Sequence, residues 1–413
     1  MPAPSSRPID MTPLGTFPWL FGFAGLSAIW VGVGFGRFSF AQFIPALVQD
    51  HWFPAAQADY LGAANLVGYL VGSLGAGPLA RRFSVPWLIR LSMLTASAGF
   101  LLCAEPGPFA WFAFWRFTVG VVGALLMILA APTLLAQAEE SFRHRLRGLI
   151  FTGLGLGIIF SATALPFLLH RGLTGAWLGL GGLSLLLTLA FWRVWPPPVS
   201  LLTESELLKS GAWKPRMNQP LWVLLLLYCA SATGLVPCTV FWVDYLVRGL
   251  GLSMGAASFN WLLFGLGSLV GPFVGSWLGP KFGFQNGILI SLSGMALANL
   301  LAILSQNPLA LAVSVISVGI LAMSIVSLVL GRAGQLAGLS GQREVWGWMT
   351  AAFSLTQALV AYAYSYLFDL VGSYHLLFGL SAGSLAAGVL LGIWDSAWKT
   401  NHENAAKINE QRF

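Results

Sequence analysis

Arg37 lies in the apolar run GVGFGRFSFAQFIP and Arg116 in the apolar run WRFTVGVVGALL. A guanidinium is a permanent cation whose planar fork of donors matches a carboxylate or a phosphate. Within a bilayer, each such charge costs about 2.5–3.5 kcal/mol at mid-depth even on the lenient insertion scale. Arg37 is nine residues short of Ala46, about 13 Å from the outer end of its run, and Arg116 lies about 10 Å in from the loop EPGP. Two such groups at similar depth, with no carboxylate nearby in sequence, point to a hydrated cavity or an anionic ligand. The competing reading is a structural arginine bonded to helix carbonyls.

Other residues could share that chemistry. Asn65 and Tyr69 are four apart, on one helical face, and would either line the same cavity or bond between helices. Tyr228, Thr233, Asn260, Trp261, Trp346, Gln357 and Tyr362 could line it from the second half, or serve packing and interfacial anchoring. Asp244, in FWVDYLV, and Asp59 are the candidate proton carriers, both near the outer face. Asp244 reads as a rim or gate residue. Arg90 is one turn inside a basic cluster and can snorkel to the headgroups.

Enzymatic readings fail on placement. Gly338-Leu339-Ser340-Gly341 matches a short nucleophile motif of intramembrane proteases, but it falls in an expected loop on one side and His375 on the other. Gly32, Gly34 and Gly36 mimic a dinucleotide loop without its preceding strand. Cys229 and Cys238 are about 13 Å apart along one helix, too far to bridge, and Cys103 is isolated in an apolar run. No His/Cys/Asp/Glu group has metal-ligand spacing. Neither catalysis, a metal nor a cofactor is expected.

These residues must be positioned by membrane helices. Of 413 residues, 57% are apolar and only 8% charged, with mean hydropathy +0.78, against about 25% charged in soluble domains. Runs of about 20 residues give twelve expected spans, at 18–46, 57–80, 86–104, 109–134, 148–169, 175–195, 220–247, 255–279, 286–304, 308–330, 345–368 and 373–394. With both termini cytoplasmic, sixteen of the 21 Lys/Arg fall on the cytoplasmic side and only Arg171 and Arg248 outside, the remaining three lying within spans. That asymmetry sets the orientation. Spread over short loops, the same charge offers no stripe for nucleic acid. The polar start, Met1 to Thr16, has no cleavable leader pattern.

One stretch occurs twice. GYLVGSLGAGPLARRF from Gly68 returns 199 residues later as GSLVGPFVGSWLGPKF from Gly267, with small residues Gly68, Gly72, Ala76, Ala80 matched by Gly267, Gly271, Gly275, Gly279. Each copy makes a small-residue face along which another helix can approach closely, and the repetition argues for two related halves. Under this offset Arg37 and Arg116 fall opposite Val236 and Val315, so the buried cations belong to the first half alone. The expected organisation is a first bundle at 1–195, a cytoplasmic linker at 196–219 with a capping box at Thr203 and Glu206, a second bundle at 220–395, and a frayed polar tail at 396–413.

GPLARRFSVP, from Gly77 to Pro86, resembles the loop motif of the major facilitator superfamily, with Arg81 in place of the usual Asp. RFTVGVVGA, from Arg116, resembles the superfamily's fourth-span motif. GFGRF, IPAL, AANLVGYLVG and GLGLGI further resemble its YbfB-like branch. The resemblance covers essentially the whole chain and implies an all-α membrane protein, twelve transmembrane helices in two pseudo-symmetric six-helix bundles, with spans one, four, seven and ten around a central cavity. Arg37 and Arg116 would then lie on cavity-lining helices. Arg82 and Lys281, with Asp244, would serve gating or coupling, and the missing Asp bears on the cytoplasmic latch.

The expected function is alternating-access transport of a small organic anion bound by Arg37, Arg116, Asn65 and Tyr69. The setting would be a bacterial inner membrane, with the lipid bilayer as surroundings, a proton as candidate coupling ion, and a monomer as the working unit. Multidrug or metabolite efflux is the alternative, though two arginines should repel cationic compounds. A non-transporting membrane sensor would need an output domain larger than this linker or tail.

Overall fold

The computed structural model describes residues 18–196 and 217–410. The linker with Thr203 and Glu206 lies outside them, apart from its two ends. The regular structure among the described residues is all helical, with short turns between the helices, because backbone donors and acceptors in hydrocarbon must be satisfied within their own segment. In chain order the helices are α1 (18–49), α2 (Ala55–Arg82), α3 (Val85–Leu101), α4 (Phe109–Leu135), α5 (Glu140–Ala162, resumed after Thr163 as Ala164–Leu169) and α6 (Leu173–Ala190). The second series is α7 (219–249), α8 (Met254–Phe282), α9 (Phe284–Leu304), α10 (Pro308–Gly338), α11 (339–371) and α12 (Tyr374–Glu410). Ten of the described helices are long and apolar enough to cross a bilayer. The 17-residue α3 and the stretch α11 complete a path consistent with twelve passages. The polar starts are capped: the Asn218, Ser253 and Asn307 side chains accept from the backbone N–H groups of Leu221, Ala256 and Leu309.

Three expectations change. The loop expected at 331–344 shrinks to a break at Gly338: α10 and α11 are two helices that run up to it from either side, and its φ of 67° is one a side chain would disfavour. Residues 338–341 sit at that break, and α11, about 50 Å of helix, separates them from His375. The polar tail is not frayed at its start, because α12 continues helically to Glu410. Helix α1 runs to Gln49, which puts Arg37 about 18 Å from its outer end rather than 13 Å.

The repeat is reproduced in the packing. Gly68 and Gly72 of α2 lie against the carbonyls of Phe117 and Val121 of α4, so that a Cβ there would collide with backbone. Gly267 and Gly271 of α8 meet Ile316 and Ile320 of α10 in the same way, each residue displaced by 199. The reciprocal contacts obey the same offset: Gly120 abuts Asn65 and Tyr69, and Gly319 abuts Phe264 and Ser268. Only backbones that need such approach would hold glycine in mid-helix, since each costs roughly 1 kcal/mol against alanine.

The two halves meet along α5 and α8, where Gly155 lies against Ser268 and Leu269. Polar ties between them gather toward one end of the molecule, the face carrying the basic loops. There the Trp346 Nε1 donates to the Met127 carbonyl at 3.0 Å and Arg81 pairs with Glu344 at 3.9 Å. At the opposite face, Asp244 accepts from Arg248 and from the Tyr374 hydroxyl, all within the second half. Among the described residues, the polar side-chain contacts at the basic face thus cross between the halves, while those around Asp244 do not.

Candidate functional site

Arg37 is placed by an irregularity of α1. Residues Trp30–Phe38 form a π-helix, and Ser39 N donates to the Gly34 carbonyl five residues back at 3.1 Å. Such wide turns are frequent at functional sites because they displace side chains and carbonyls from the regular helical positions. The small residues of this segment allow it: Gly32 faces Gly123 of α4, and Gly34 faces Gly153 and Gly157 of α5. Helix α7 carries π-helical turns as well, at Pro237–Phe241 and Tyr245–Gly249, which the 199-residue offset sets beyond Phe38 rather than level with it.

From this turn the guanidinium of Arg37 crosses the seam, its Nη2 donating to the Gln357 Oε1 of α11. Tyr69 of α2 and Tyr228 of α7 are close enough to couple electrostatically to it. Both tyrosines are buried, at 5% and 3% exposure, yet among the described residues neither hydroxyl makes a hydrogen bond. The Tyr228 ring lies 4.6 Å from that of Phe353 and 5.9 Å from that of Trp346. Arg37 meets no acid among the described residues, so a half-buried cation, two buried phenols and an aromatic wall converge where the halves touch. Gln357 closes the seam at this level.

The other sequence-derived residues fall into different places. Arg116, 2% exposed, donates from Nη2 to the Gly36 carbonyl at 2.8 Å and sits 3.7 Å from the centroid of the Phe40 ring. Its own carbonyl accepts from the Asn65 amide at 3.0 Å. This pair braces the π-helical turn beside Arg37 from α2 and α4, in the manner of the carbonyl-bonded reading. Asp244 is bound to Arg248 and Tyr374 beside an outer cavity of about 450 Å³ lined by Tyr245, Phe368 and His375, away from Arg37. Arg82 and Lys281 are both exposed, Lys281 over the Trp277 ring. The ion pair that joins the halves is made by their neighbour Arg81. The side chain of Asp59 lies outside the described residues. Arg90 donates to the Trp192 and Trp195 carbonyls at the start of the linker, a structural tie. The three cysteines are free.

Sequence reading did not single out Phe353 or Glu344. Neither carries a mark in sequence beyond an ordinary aromatic in a span and an acid in a loop. Trp346 and Gln357 were legible only as two of several cavity candidates.

A two-half helical bundle with a repeated packing and a half-buried cation at mid-seam is the architecture of a transporter of the major facilitator class. The fold agrees: the crystal structure of a major facilitator superfamily transporter, FucP, in the outward conformation superposes with a TM-score of 0.69 at 15% identity, over 91% of this chain and 98% of that one. The chain belongs to the family described as "Uncharacterised MFS-type transporter YbfB", which it matches over residues 29–392. It is also 25% identical over 319 residues to the 4-hydroxybenzoate transporter PcaK of Acinetobacter baylyi, covering 66% of this chain and 68% of the relative. A gallate transporter of Pseudomonas putida is 26% identical over 346 residues, covering 73% and 75%.

Proposed function

We propose that this transporter carries a small organic anion, with aromatic carboxylates the class that fits best, by alternating access through the seam at Arg37. The observation that carries the reading is a half-buried guanidinium at mid-seam without an acidic partner among the described residues, answered across the seam by a neutral amide. A carboxylate would replace Gln357 on the guanidinium and accept from the Tyr69 and Tyr228 hydroxyls, while an aromatic ring would stack against Phe353 and Trp346. The names of the two relatives, one for 4-hydroxybenzoate and one for gallate, support the same class. Arg116 and Asn65 act here as positioning residues that hold the π-helical turn. The basic face is the cytoplasmic face of a bacterial inner membrane, both termini included, and the monomer holds the complete pathway. Asp244 is already occupied by Arg248 and Tyr374, which favours exchange or uniport over proton coupling through this acid. Efflux of cationic drugs is disfavoured by the same guanidinium.

Uptake of radiolabelled 4-hydroxybenzoate and gallate into proteoliposomes tests the reading. Arg37→Ala should abolish uptake, and Arg37→Lys should weaken it, because a point charge replaces the fork. Charge-assisted hydrogen bonds are worth about 1.5–3 kcal/mol, or roughly 10- to 150-fold in affinity. Full activity in Arg37→Ala would remove that residue from the site.

A further inference from the structure

Besides Arg116, whose guanidinium bonds the Gly36 carbonyl, another arginine is buried without an acid, and it lies toward the basic face of the seam. Arg147, on the first turns of α5, is only 7% exposed, and its Nε and Nη1 have no hydrogen-bond partner. Its guanidinium reaches into the second half and lies 5.2 Å from the Phe284 ring centroid. A Cβ on Gly331 of α10 would lie 2.7 Å from Nη1, so that glycine leaves room for it. At the next residue of α5, Gly148 faces Ser276 of α8 across the seam, and the Ser276 Oγ is buried and also unpartnered. The charged groups acting on this guanidinium are basic: Arg143 bears on it, and it bears in turn on His144. Across the seam the next residue after Gly331 is Arg332, which donates from Nη1 to the Gln335 Oε1 at 3.0 Å and is answered by Asp395.

A buried cation with two unpartnered donors, facing a buried hydroxyl-bearing helix of the other half and no acid, has the chemistry to hold an anion. We infer that Arg147 and Ser276 form a second anion station on the transport pathway, shut in this conformation and uncovered when the basic face parts. Its ligand is a carboxylate-bearing anion of the class proposed for Arg37. The inference rests on the reading of the seam as an anion pathway, and it adds where the anion binds after leaving, or before reaching, mid-seam. A guanidinium kept only for packing would sit as well over Phe284 but would give the opened seam no preference for negative charge.

The test needs no knowledge of the transported compound. Ser276→Cys places a thiol at the station, and its labelling is read by mass of the peptide that carries it, so the native cysteines do not interfere. The probes are a sulfonate-bearing and a trimethylammonium-bearing methanethiosulfonate, applied from the basic face of vesicles and normalised to a free thiol. The anionic reagent should be favoured about tenfold, a concentration expected where a cleft carries one sign of charge. Arg147→Gln should erase that preference, Arg147→Lys should keep it, and Arg37→Gln should leave it unchanged. Millimolar benzoate in the basic-face bath should slow the labelling. No charge preference, a preference that survives Arg147→Gln, or no labelling from that face would overturn the station. Protection that follows phosphatidylglycerol content and ignores benzoate would assign the guanidinium to a lipid headgroup and overturn it equally. If Ser276→Cys does not accumulate, Phe284→Cys reports on the same guanidinium. Loss of transport in Arg37→Ala with the labelling pattern intact, or the converse, separates the two readings.

Discussion

Two polar ties join the halves at the basic face, and the structure ranks them. The Arg81–Glu344 pair spans 3.9 Å between side chains that are 55% and 35% exposed. Exposed pairs of that kind contribute about 0.2–1 kcal/mol and less in salt. The Trp346 indole instead donates to the Met127 carbonyl from a fully buried position, at 3.0 Å. Trp346→Phe keeps the contacts with Phe151 and Tyr228 and removes one buried hydrogen bond, worth about 1 kcal/mol. If that bond is made only while the basic face is shut, its loss raises the ratio of open to shut molecules roughly fivefold. Arg81→Gln should change the ratio by less than about twofold in 0.15 M salt. Spin labels at the exposed Ser141 and Gln335, one in each half, would report the open form as a longer distance in pulsed electron resonance. The argument fails if Arg81→Gln enlarges the long-distance population as much as Trp346→Phe does, or if Trp346→Phe leaves it unchanged.

Arg116→Met should lower thermal stability and distort the turn while Arg116→Lys restores part of both; a variant that keeps its melting temperature but loses affinity would make Arg116 a ligand-binding group. Gly72→Leu and Gly271→Leu should each be destabilising by about 1–3 kcal/mol or more, in similar degree, because the same backbone approach is blocked in each half; a large effect in one half only, read by thermal melts in detergent, would break the equivalence. Asp244→Asn should change the pH dependence of uptake little, since its carboxylate already serves Arg248 and Tyr374; loss of pH-driven uptake with folding intact would restore it as a proton carrier.

Much of the scaffold was legible because glycine is a backbone signal. A residue without a side chain in mid-helix marks where another main chain must pass, and the 199-residue offset read from Gly68 and Gly267 holds for Gly120 and Gly319 as well. The lopsided charge was legible for a similar reason, since an arginine in hydrocarbon is rare enough to stand out. What could not be read was the destination of each guanidinium. Arg116 bonds a backbone carbonyl, which every residue possesses and no sequence marks. Arg37 finds a glutamine 320 positions away, and its reach depends on a π-helical turn that alters the regular phase of the apolar pattern. The break at Gly338 escaped because a polar stretch between spans reads as a loop whether or not its backbone stays helical.

The amide of Gln357 has a consequence for how cargo and conformation are linked. It belongs to one half and caps a cation that belongs to the other, so a single contact staples the halves at mid-height. On the proposed reading an arriving carboxylate would compete for the same nitrogen and, in winning it, release the staple. Recognition and unlocking would then be a single exchange of acceptors, and a solute that binds elsewhere in the cleft without evicting the amide would be held but not carried.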